Sequence, residues 1–172
     1  MTLRTEPLRD LLQAFESGSR PKGGVTGIRD GIPSLGGEHL NRDGGFKFNK
    51  IKFVPETFAR AMTRGHVEPE DILVVKDGAT TGKVSLIRSD FPFAQAVINE
   101  HVFRLKLKDD YNSAYVFYFL YSLAGQQQIL SDFRGAAQGG ISQAFVDKVF
   151  VPVRPLDEQQ QIPLCATSIA DS

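Results

Sequence analysis

The feature that most constrains the fold is a polar, glycine-containing link between two β-rich runs in the middle of the chain. The first run spans Asp71–Lys76, the link spans Asp77–Gly82, and the second run spans Lys83–Ile87. Two such runs around a short connection predict a β-hairpin. Gly78 and Gly82 supply the positive φ that this connection needs. The sequence therefore predicts a hairpin with a polar tip, around which the rest of the chain is organised.

Hydrogen-bond donors surround this tip, which indicates a partner that accepts hydrogen bonds. The donors belong to Lys76, Thr80, Thr81 and Lys83. A phosphate-cradling nucleotide loop is the first candidate, but three residues rather than four separate the two glycines, and Val84 takes the place of the magnesium-binding Ser or Thr. A nucleoside-triphosphate site is therefore disfavoured. A hairpin turn with solvated polar residues is the plain alternative.

Composition indicates a globular protein with one domain. The 172 residues, 41% of them hydrophobic, suffice for a core. No apolar run reaches the length of a membrane span and the N-terminus lacks a secretion signal, so we expect a cytoplasmic protein without a membrane partner. The single Cys165 has no disulfide partner, and His39, His66 and His101 lack the spacing of zinc ligands. We expect neither a metal ion nor a cofactor.

Charge is unevenly distributed although the formal net charge is zero. The chain has 20 basic and 20 acidic side chains. Between Arg20 and Arg64 there are nine basic and four acidic residues, which leaves that segment at nine minus four, or +5, whereas acids gather toward the C-terminal end. A basic half in a neutral protein is typical of a nucleic-acid face backed by an acidic face for a protein partner. Chance scatter is the alternative.

The first 62 residues predict a helix, a long loop, two strands and a second helix. Apolar residues at 8, 11, 12 and 15 have helical spacing, which predicts an amphipathic helix that Thr5 caps and Gly18 ends. Residues 17–45 are glycine-rich and predict a loop with one short strand, Ile32–Leu35. Such loops are more often functional, and a mobile surface loop is the alternative. Phe46–Val54 predicts a half-exposed strand, followed by a short helix.

The region after the hairpin predicts a third strand and a long helix. Ala96–Leu107 alternates like a strand, with a polar break at residues 99–101. Ser113–Phe133 predicts one helix that Ser113 caps. Its many aromatic side chains could stack on bases, but because they almost encircle a helix we interpret them as core.

The C-terminal region predicts four short elements. Residues 134–140 form a flexible polar loop, Ser142 caps a short helix, and Val149–Val153 is an apolar strand. Pro155 suits the first turn of another helix, which Pro163 stops.

Five segments taken together resemble the target recognition domain of type I restriction-modification specificity subunits. In chain order they are Gly31–Leu35, Asp71–Lys83, Ile98–Val102, Gly135–Gln138 and Val151–Gln159. Each segment alone is a weak signal. Five in order, over nearly the whole chain, are specific.

The resemblance implies an α+β fold with a twisted, mostly antiparallel or mixed β-sheet flanked by helices. Alternating strands with few crossover helices indicate the same class. The implied domains are a DNA target recognition domain in residues 1–154 and the truncated start of a spacer helix with a tail in residues 155–172. In this family a specificity subunit carries two such domains separated by long helices, and each reads half of a bipartite DNA sequence.

The implied partners are double-stranded DNA and the methyltransferase and restriction subunits of the type I complex, and a homodimer is left open. The implied role is recognition without catalysis. The residues agree, since the chain lacks an acid-x-lysine element, an Asn-Pro-Pro-aromatic motif, a Gly-x-Gly-x-x-Gly loop and a Gly-x-Ser-x-Gly turn. The alternative is an assembly domain that pairs with itself or with a specificity subunit without reading DNA.

For DNA recognition, we expect cationic side chains to hold phosphates while loop side chains read base edges in a groove. Arg29 and Arg42 match the paired groups of guanine, and Asn41 and Gln138 match those of adenine. The predicted DNA-binding residues are Arg20, Lys22, Arg29, Asn41, Arg42, Lys47, Lys76, Thr80, Thr81, Lys83, Asn99, Arg134 and Gln138.

Overall fold

The computed structural model describes residues 3–162, which form an α+β fold with three β-sheets, and most of its helices pack on one face of the four-stranded sheet. The strands are β1 (Thr5–Pro7), β2 (Leu12–Ser17), β3 (Ile32–Leu35), β4 (Lys52–Val54), β5 (Ile72–Val75), β6 (Val84–Leu86), β7 (Val97–Ile98), β8 (Val102–Leu107) and β9 (Phe150–Pro152). The helices are α1 (Leu8–Leu11), α2 (Glu56–Ala61), α3 (Ser113–Tyr121), α4 (Leu123–Leu130) and α5 (Phe145–Lys148), with a 3₁₀ turn at Gly37–His39. None of the helices within residues 3–162 combines the length and apolar character needed to traverse a bilayer.

The central sheet has four antiparallel strands in the order β2-β8-β5-β6. The predicted hairpin is confirmed, because Ile72 pairs with Leu86 and Val74 pairs with Val84. The Gly82 N–H donates to the Val75 carbonyl (2.8 Å), which closes the link. Gly78 and Gly82 have φ values of 88° and 86°, as predicted. We call residues 77–83 the hairpin tip.

Strand β5 is buried on both faces, and its successive side chains point alternately into two layers of the core. Ile72 and Val74 join the cluster that the helices α3, α4 and α5 cover. Leu73 and Val75 join a second cluster on the opposite face, with residues of β3 and β7. The hydrophobic effect on both faces explains why this run is continuously apolar rather than alternating.

Two smaller sheets complete the fold. In the three-stranded sheet, of order β4-β3-β7, β3 runs antiparallel to β4 and parallel to β7. In the two-stranded sheet, β1 pairs antiparallel with β9 and thereby joins the two ends of the described chain. The sheets are therefore mixed and mostly antiparallel, as the sequence predicts.

The amphipathic helix predicted near the N-terminus is wrong beyond its first turn. Only Leu8–Leu11 is helical, and Leu12–Ser17 is strand β2, which pairs with β8 around an irregularity between Leu12 and Ala14. The apolar residues still pack on the core, but long-range sheet hydrogen bonds replace helical ones. Apolar spacing over so short a segment does not separate a helix from a bent strand.

The strand predicted over Phe46–Val54 is also mostly wrong, because only Lys52–Val54 pairs with β3. Phe46 and Phe48 instead pack on two phenylalanines of the 91–93 loop, with ring centroids 5.0–5.7 Å apart. The short helix after it is confirmed as α2, which begins after Pro55.

The strand predicted over Ala96–Leu107 is two strands in two sheets. Residues 99–101 form a turn in which the His101 N–H donates to Asn99 Oδ1 (2.9 Å), and this turn carries the chain from β7 to β8. The polar break is therefore the point where the chain changes sheets.

The long helix predicted over Ser113–Phe133 is two helices, because Ser122 leaves the helical conformation (φ −64°, ψ 161°). The Ser122 hydroxyl accepts from the Gly125 N–H and caps α4. A Cβ on Gly125 would lie 2.0 Å from the Phe119 carbonyl oxygen, so only glycine permits this packing. The predicted cap of the first helix is one residue off, since Asn112 accepts from the Tyr115 N–H (2.9 Å).

The C-terminal predictions are confirmed in part within the described residues. The predicted cap at Ser142 is wrong, because α5 has Ala144 as its N-cap without a side-chain cap, and the Ser142 hydroxyl accepts from the Ala144 N–H before the helix begins. The strand β9 lies within the predicted apolar strand. Residues 156–162 are helical, and Gln159 fixes them to the start of α3 by accepting from the Asn112 N–H (2.9 Å). The predicted stop at Pro163 lies outside the described residues.

Candidate nucleic-acid interface

The loop of residues 40–47 is docked against the edge strand β6. The Leu86 N–H donates to the Gly44 carbonyl (3.1 Å), and the Ser85 hydroxyl donates to the Gly45 carbonyl (2.7 Å). Gly44 has φ +85°, and a Cβ there would lie 2.2 Å from the Phe117 ring, so the close approach requires glycine. The Asn41 amide donates to the Phe46 carbonyl (2.9 Å) and closes the loop from within.

This docking brings Arg42 and Lys47 to Lys83, about forty residues later in the chain. The Lys83 ammonium donates to the Leu40 carbonyl (2.8 Å), which fixes it beside the loop. Burial lowers the pKa of Lys83, and the positive charges of Lys47 and Arg42 lower it further. We call these three residues the cationic cluster. Within residues 3–162, none of them forms an ion pair with a carboxylate.

Several predicted donors of the hairpin tip make contacts within the protein. The Thr81 hydroxyl donates to the Gly78 carbonyl (2.6 Å), so it shapes the turn. The Lys76 ammonium lies 5.8 Å from the centroid of the Phe103 ring. Thr80 lies beside the 3₁₀ turn, where a Cβ on Gly37 would be 3.4 Å from the Thr80 hydroxyl oxygen. These contacts therefore restrict the conformation of the tip.

The turn at residues 99–101 lies next to the base of the tip. His101 Nδ1 and Asp77 Oδ1 are 2.6 Å apart, and Arg20 forms an ion pair with Glu100 (2.7 Å). Asn99, a predicted DNA-binding residue, caps this turn with its side-chain oxygen. These contacts connect Arg20 to the tip. They also place two acids there, each of them paired with a basic side chain.

The 134–140 loop lies on the other side of the tip. The Gly78 N–H donates to the Gly139 carbonyl (3.1 Å), and the Ile141 N–H donates to the Lys76 carbonyl (2.8 Å). Arg134 and Gln138 are exposed on this loop. The structure thus brings this loop, the tip, the 99–101 turn and the 40–47 loop together along one edge of the fold.

Contacts do not connect Lys22 and Arg29 to this edge directly. Lys22 lines a second cavity, of about 820 Å³, with Arg20, Lys52 and a glycine-rich loop. Arg29 is exposed, and within residues 3–162 no hydrogen bond or ion pair joins it to another predicted DNA-binding residue. The described contacts therefore bring together most of the predicted set but not these two residues.

Two residues that the sequence did not single out complete a cavity at the tip. This cavity of about 470 Å³, the tip cavity, is lined by Arg42, Thr80, Thr81 and Lys83 and by Tyr121 and Gln126. The interpretation of the aromatic residues as core holds for Tyr115 and Phe117, which are buried, but Tyr121 is 43% exposed. The Ser122-x-x-Gly125 capping signal could have revealed that the helix ends beside Tyr121.

The histidines have structural contacts. His39 is buried, accepts from the Gly36 N–H at Nδ1 (2.9 Å) and lies 3.1 Å from the Lys50 carbonyl at Nε2. Within residues 3–162, no three His, Cys, Asp or Glu side chains cluster in a way that could hold a metal ion.

Known proteins resemble this chain in sequence over one long segment and in fold over nearly all of it. Residues 40–163 match the family described as type I restriction modification DNA specificity domain. No protein of curated function matches the sequence.

The solved structures that share the fold come from type I systems. The HsdS subunit from Thermoanaerobacter tengcongensis is 17% identical with a TM-score of 0.69, over 98% of this chain and 37% of that chain. The S subunit of the type I restriction-modification system from M. genitalium is 13% identical with a TM-score of 0.66, over 99% of this chain and 40% of that chain. A third structure, from work on the complex assembly and conformational transition of the type I R-M system, is 17% identical with a TM-score of 0.70, over 98% of this chain and 38% of that chain. The chain thus spans about two fifths of the length of these chains.

Proposed function

Because this chain belongs to the family of type I restriction modification DNA specificity domains, we propose that it reads one half of a bipartite DNA sequence for methyltransferase and restriction subunits. The observation that carries the proposal is the cationic cluster. Arg42, Lys47 and Lys83 come from two distant segments and lie close to one another, and no carboxylate of the described residues 3–162 pairs with them. Such an arrangement repels itself, and a polyanion such as DNA relieves the repulsion.

The proposed interface has a centre and two flanks. The cationic cluster and the hairpin tip form the centre, where phosphate contacts fix the position of the domain. Arg134 and Gln138 are on one flank and Arg20 is on the other. Lys22 and Arg29 are assigned to phosphates farther along the duplex, because they lie beyond Arg20 in the same loop.

Base reading is assigned to side chains that are exposed on loops. Gln138 is exposed and suits adenine, whereas Arg42, which by residue type suits guanine, is assigned to a phosphate with the rest of the cationic cluster. Asn41 is the weaker candidate for adenine, because its amide group already donates to the Phe46 carbonyl. Asn99 is assigned to holding the 99–101 turn rather than to a base.

We assign the recognition role to residues 1–154 and the start of a spacer helix to residue 155 onward. Helical residues 156–162 support this boundary, and Gln159 holds them at a fixed place on the domain. Catalysis is assigned to the partner subunits. Retention of this chain by purified methyltransferase subunits, with and without residues 155–172, tests both assignments.

Selection from a random duplex pool tests the DNA-reading role directly. We expect the chain to enrich one asymmetric motif, because half of a bipartite site has no internal symmetry. A variant with Arg42→Gln, Lys47→Gln and Lys83→Met should bind all pool members more weakly. Failure of the folded wild-type chain to enrich any motif would contradict the proposal and favour an assembly domain.

A further inference from the structure

We propose that the tip cavity binds one nucleotide displaced from the duplex, with its phosphate between Arg42 and Lys83 and its base against the ring of Tyr121. The inference rests on the proposed function and deepens it. It assigns a ligand class, an unstacked nucleotide, to the tip cavity. Phosphate binding alone would need only the cationic side chains and not this cavity.

Tyr121 has the properties of a stacking platform. It is 43% exposed, whereas the nearest aromatic residue on its helix, Phe117, is buried. The two rings are stacked with centroids 5.6 Å apart and an interplanar angle of 27°. The ring of Tyr121 is therefore supported from behind and presents its free surface at the end of α3. A held aromatic ring loses little conformational entropy when a base stacks on it.

The size of the cavity fits a single nucleotide. Its volume of about 470 Å³ lies in the range of cavities that hold small molecules. In a duplex the two faces of a base are covered by its stacked neighbours, so a base stacks on the Tyr121 ring in this cavity only after it has left the duplex.

The other wall of the cavity is cationic. Lys83 is fixed by its hydrogen bond to the Leu40 carbonyl, and Arg42 lies on the docked 40–47 loop. These side chains offer charge-assisted hydrogen bonds to a phosphate. The cavity therefore presents cationic and aromatic groups together, which matches the two parts of a nucleotide.

Gln126 adds a hydrogen-bond acceptor between these walls. Its Nε2 donates to the carbonyls of Gly82 (3.0 Å) and Leu120 (2.8 Å), so both amide protons are used. Gln126 lines the cavity, and its Oε1 accepts no hydrogen bond within the described residues 3–162. Adenine, cytosine and guanine each have an exocyclic amino group that donates to such an oxygen.

Mismatched DNA provides the test, because a mismatch removes much of the energy needed to displace a base. The probes are a random-sequence duplex pool with a central A·T pair and the same pool with a central A·C mismatch. We expect the wild-type chain to bind the mismatched pool severalfold more tightly. Tyr121→Ala should abolish this preference and weaken mismatch binding about tenfold, whereas Tyr121→Phe should retain both.

Phe150→Ala is the matched control. Phe150 is 45% exposed, nearly the same as Tyr121, and lies on β9 outside the cavity lining. We expect this variant to keep the mismatch preference. Urea unfolding of all variants shows whether a loss of binding reflects a loss of folded protein.

Equal binding of the two pools by the wild-type chain would overturn the inference, as would an unchanged preference in Tyr121→Ala. Deoxyadenosine monophosphate separates a free nucleotide from one in DNA. If the chain binds this monophosphate in a way that requires Tyr121 but binds the two DNA pools equally, the cavity is a site for free nucleotides and the proposal is overturned. Motif enrichment from fully paired DNA is measured separately, so the DNA-reading role stands or fails independently of this cavity.

Discussion

Two groups of charged residues in this domain have opposite surroundings. The first is a buried ion network in which Arg104 contacts three carboxylates, those of Asp71, Glu16 and Glu68. The second is the cationic cluster, in which three basic side chains meet without a carboxylate in the described part of the chain. Both groups join distant segments, but only in the first does each basic side chain contact a carboxylate. The comparison teaches that a chain of zero net charge can leave a local group of positive charges uncompensated, which the proposed DNA contact would neutralise.

The pKa values of Arg104 and Lys83 shift in opposite directions. Burial lowers the pKa of Arg104, but hydrogen bonds and charges from Asp71 and Glu16 outweigh it, so the net shift is upward. Burial and its cationic neighbours both lower the pKa of Lys83. The fold therefore favours the cationic form of Arg104 and disfavours that of Lys83, a cost that the proposed phosphate contact would offset.

The largest expected effect is that of Arg104→Met, which breaks the buried ion network. The Arg104 side chain is 6% exposed and Asp71 is fully buried, so the variant leaves an uncompensated carboxylate in the core. We expect the free energy of unfolding to fall by about 3–5 kcal/mol in urea denaturation. The double variant Arg104→Met, Asp71→Leu should recover part of this loss. A double variant no more stable than the single one would contradict this account of the network.

Asp132 is an intermediate case, a buried acid with one basic partner. Burial raises its pKa, but hydrogen bonds from Lys148 and Ser142 lower it more, so the pKa lies below the ordinary value. We expect Asp132→Asn to lower the free energy of unfolding at pH 7 by about 1–3 kcal/mol. These contacts fix the end of α4 to the segment before α5, so they also hold the 134–140 loop.

The pH dependence has a definite sign. Because the pKa of Asp132 is lowered on folding, the unfolded chain binds more protons in acid. The contribution of Asp132 is complete above the ordinary aspartate pKa of about 3.9 and is lost as pH falls through the folded value. Stability measured from pH 6 to pH 2 should therefore fall more steeply in the wild type than in Asp132→Asn. Parallel curves would contradict the assignment.

Lys83→Met should weaken DNA binding and change the stability of the fold little. It removes a partly buried charge that its neighbours repel, but also the hydrogen bond to the Leu40 carbonyl. Because these two effects oppose each other, we expect the free energy of unfolding to change by no more than about 1 kcal/mol. Affinity for every duplex should fall, and the slope of log K against log salt should become shallower by about 0.9 for the lost phosphate contact. A loss restricted to one DNA sequence would show that Lys83 reads a base.

The smallest expected effect is that of Arg60→Gln. Arg60 forms an exposed ion pair with Glu56 one helical turn away in α2. Such pairs contribute about 0.3–0.5 kcal/mol. We expect DNA affinity at constant salt to be unchanged, because this cation already has a partner. A loss of affinity as large as that of Lys83→Met would remove the distinction between paired and unpaired cations.

The sequence predicts the centre of the fold better than its margins. The β5–β6 hairpin has two independent local signals, continuous β-rich runs and correctly placed glycines, and it is confirmed. At Leu12–Ser17 the deciding interaction is pairing with β8, some ninety residues away, which local spacing does not contain. The break at Ser122 has a local signal, but the aromatic run before it and Leu123 and Ala124 directly after it conceal it.

The candidate site is predictable by residue type but not by position. Charge counting finds the basic segment, yet only the docking of Gly44 and Gly45 on β6 shows that Arg42 and Lys47 meet Lys83. Tyr121 resembles the other core aromatics in sequence, and its exposure depends on where α3 ends. Contacts between distant segments decide both outcomes.

The salt dependence of duplex binding tests the central claim most directly. One variant carries Arg42→Gln, Lys47→Gln and Lys83→Met, and its matched control carries Arg4→Gln, Arg9→Gln and Arg60→Gln, three cations paired with carboxylates. Both variants remove three positive charges. We predict a slope shallower by about 2–3 units in the first and unchanged in the second, since each lost phosphate contact contributes about 0.9. Equal slopes in the two variants would contradict the account, because net charge rather than the cationic cluster would then determine binding.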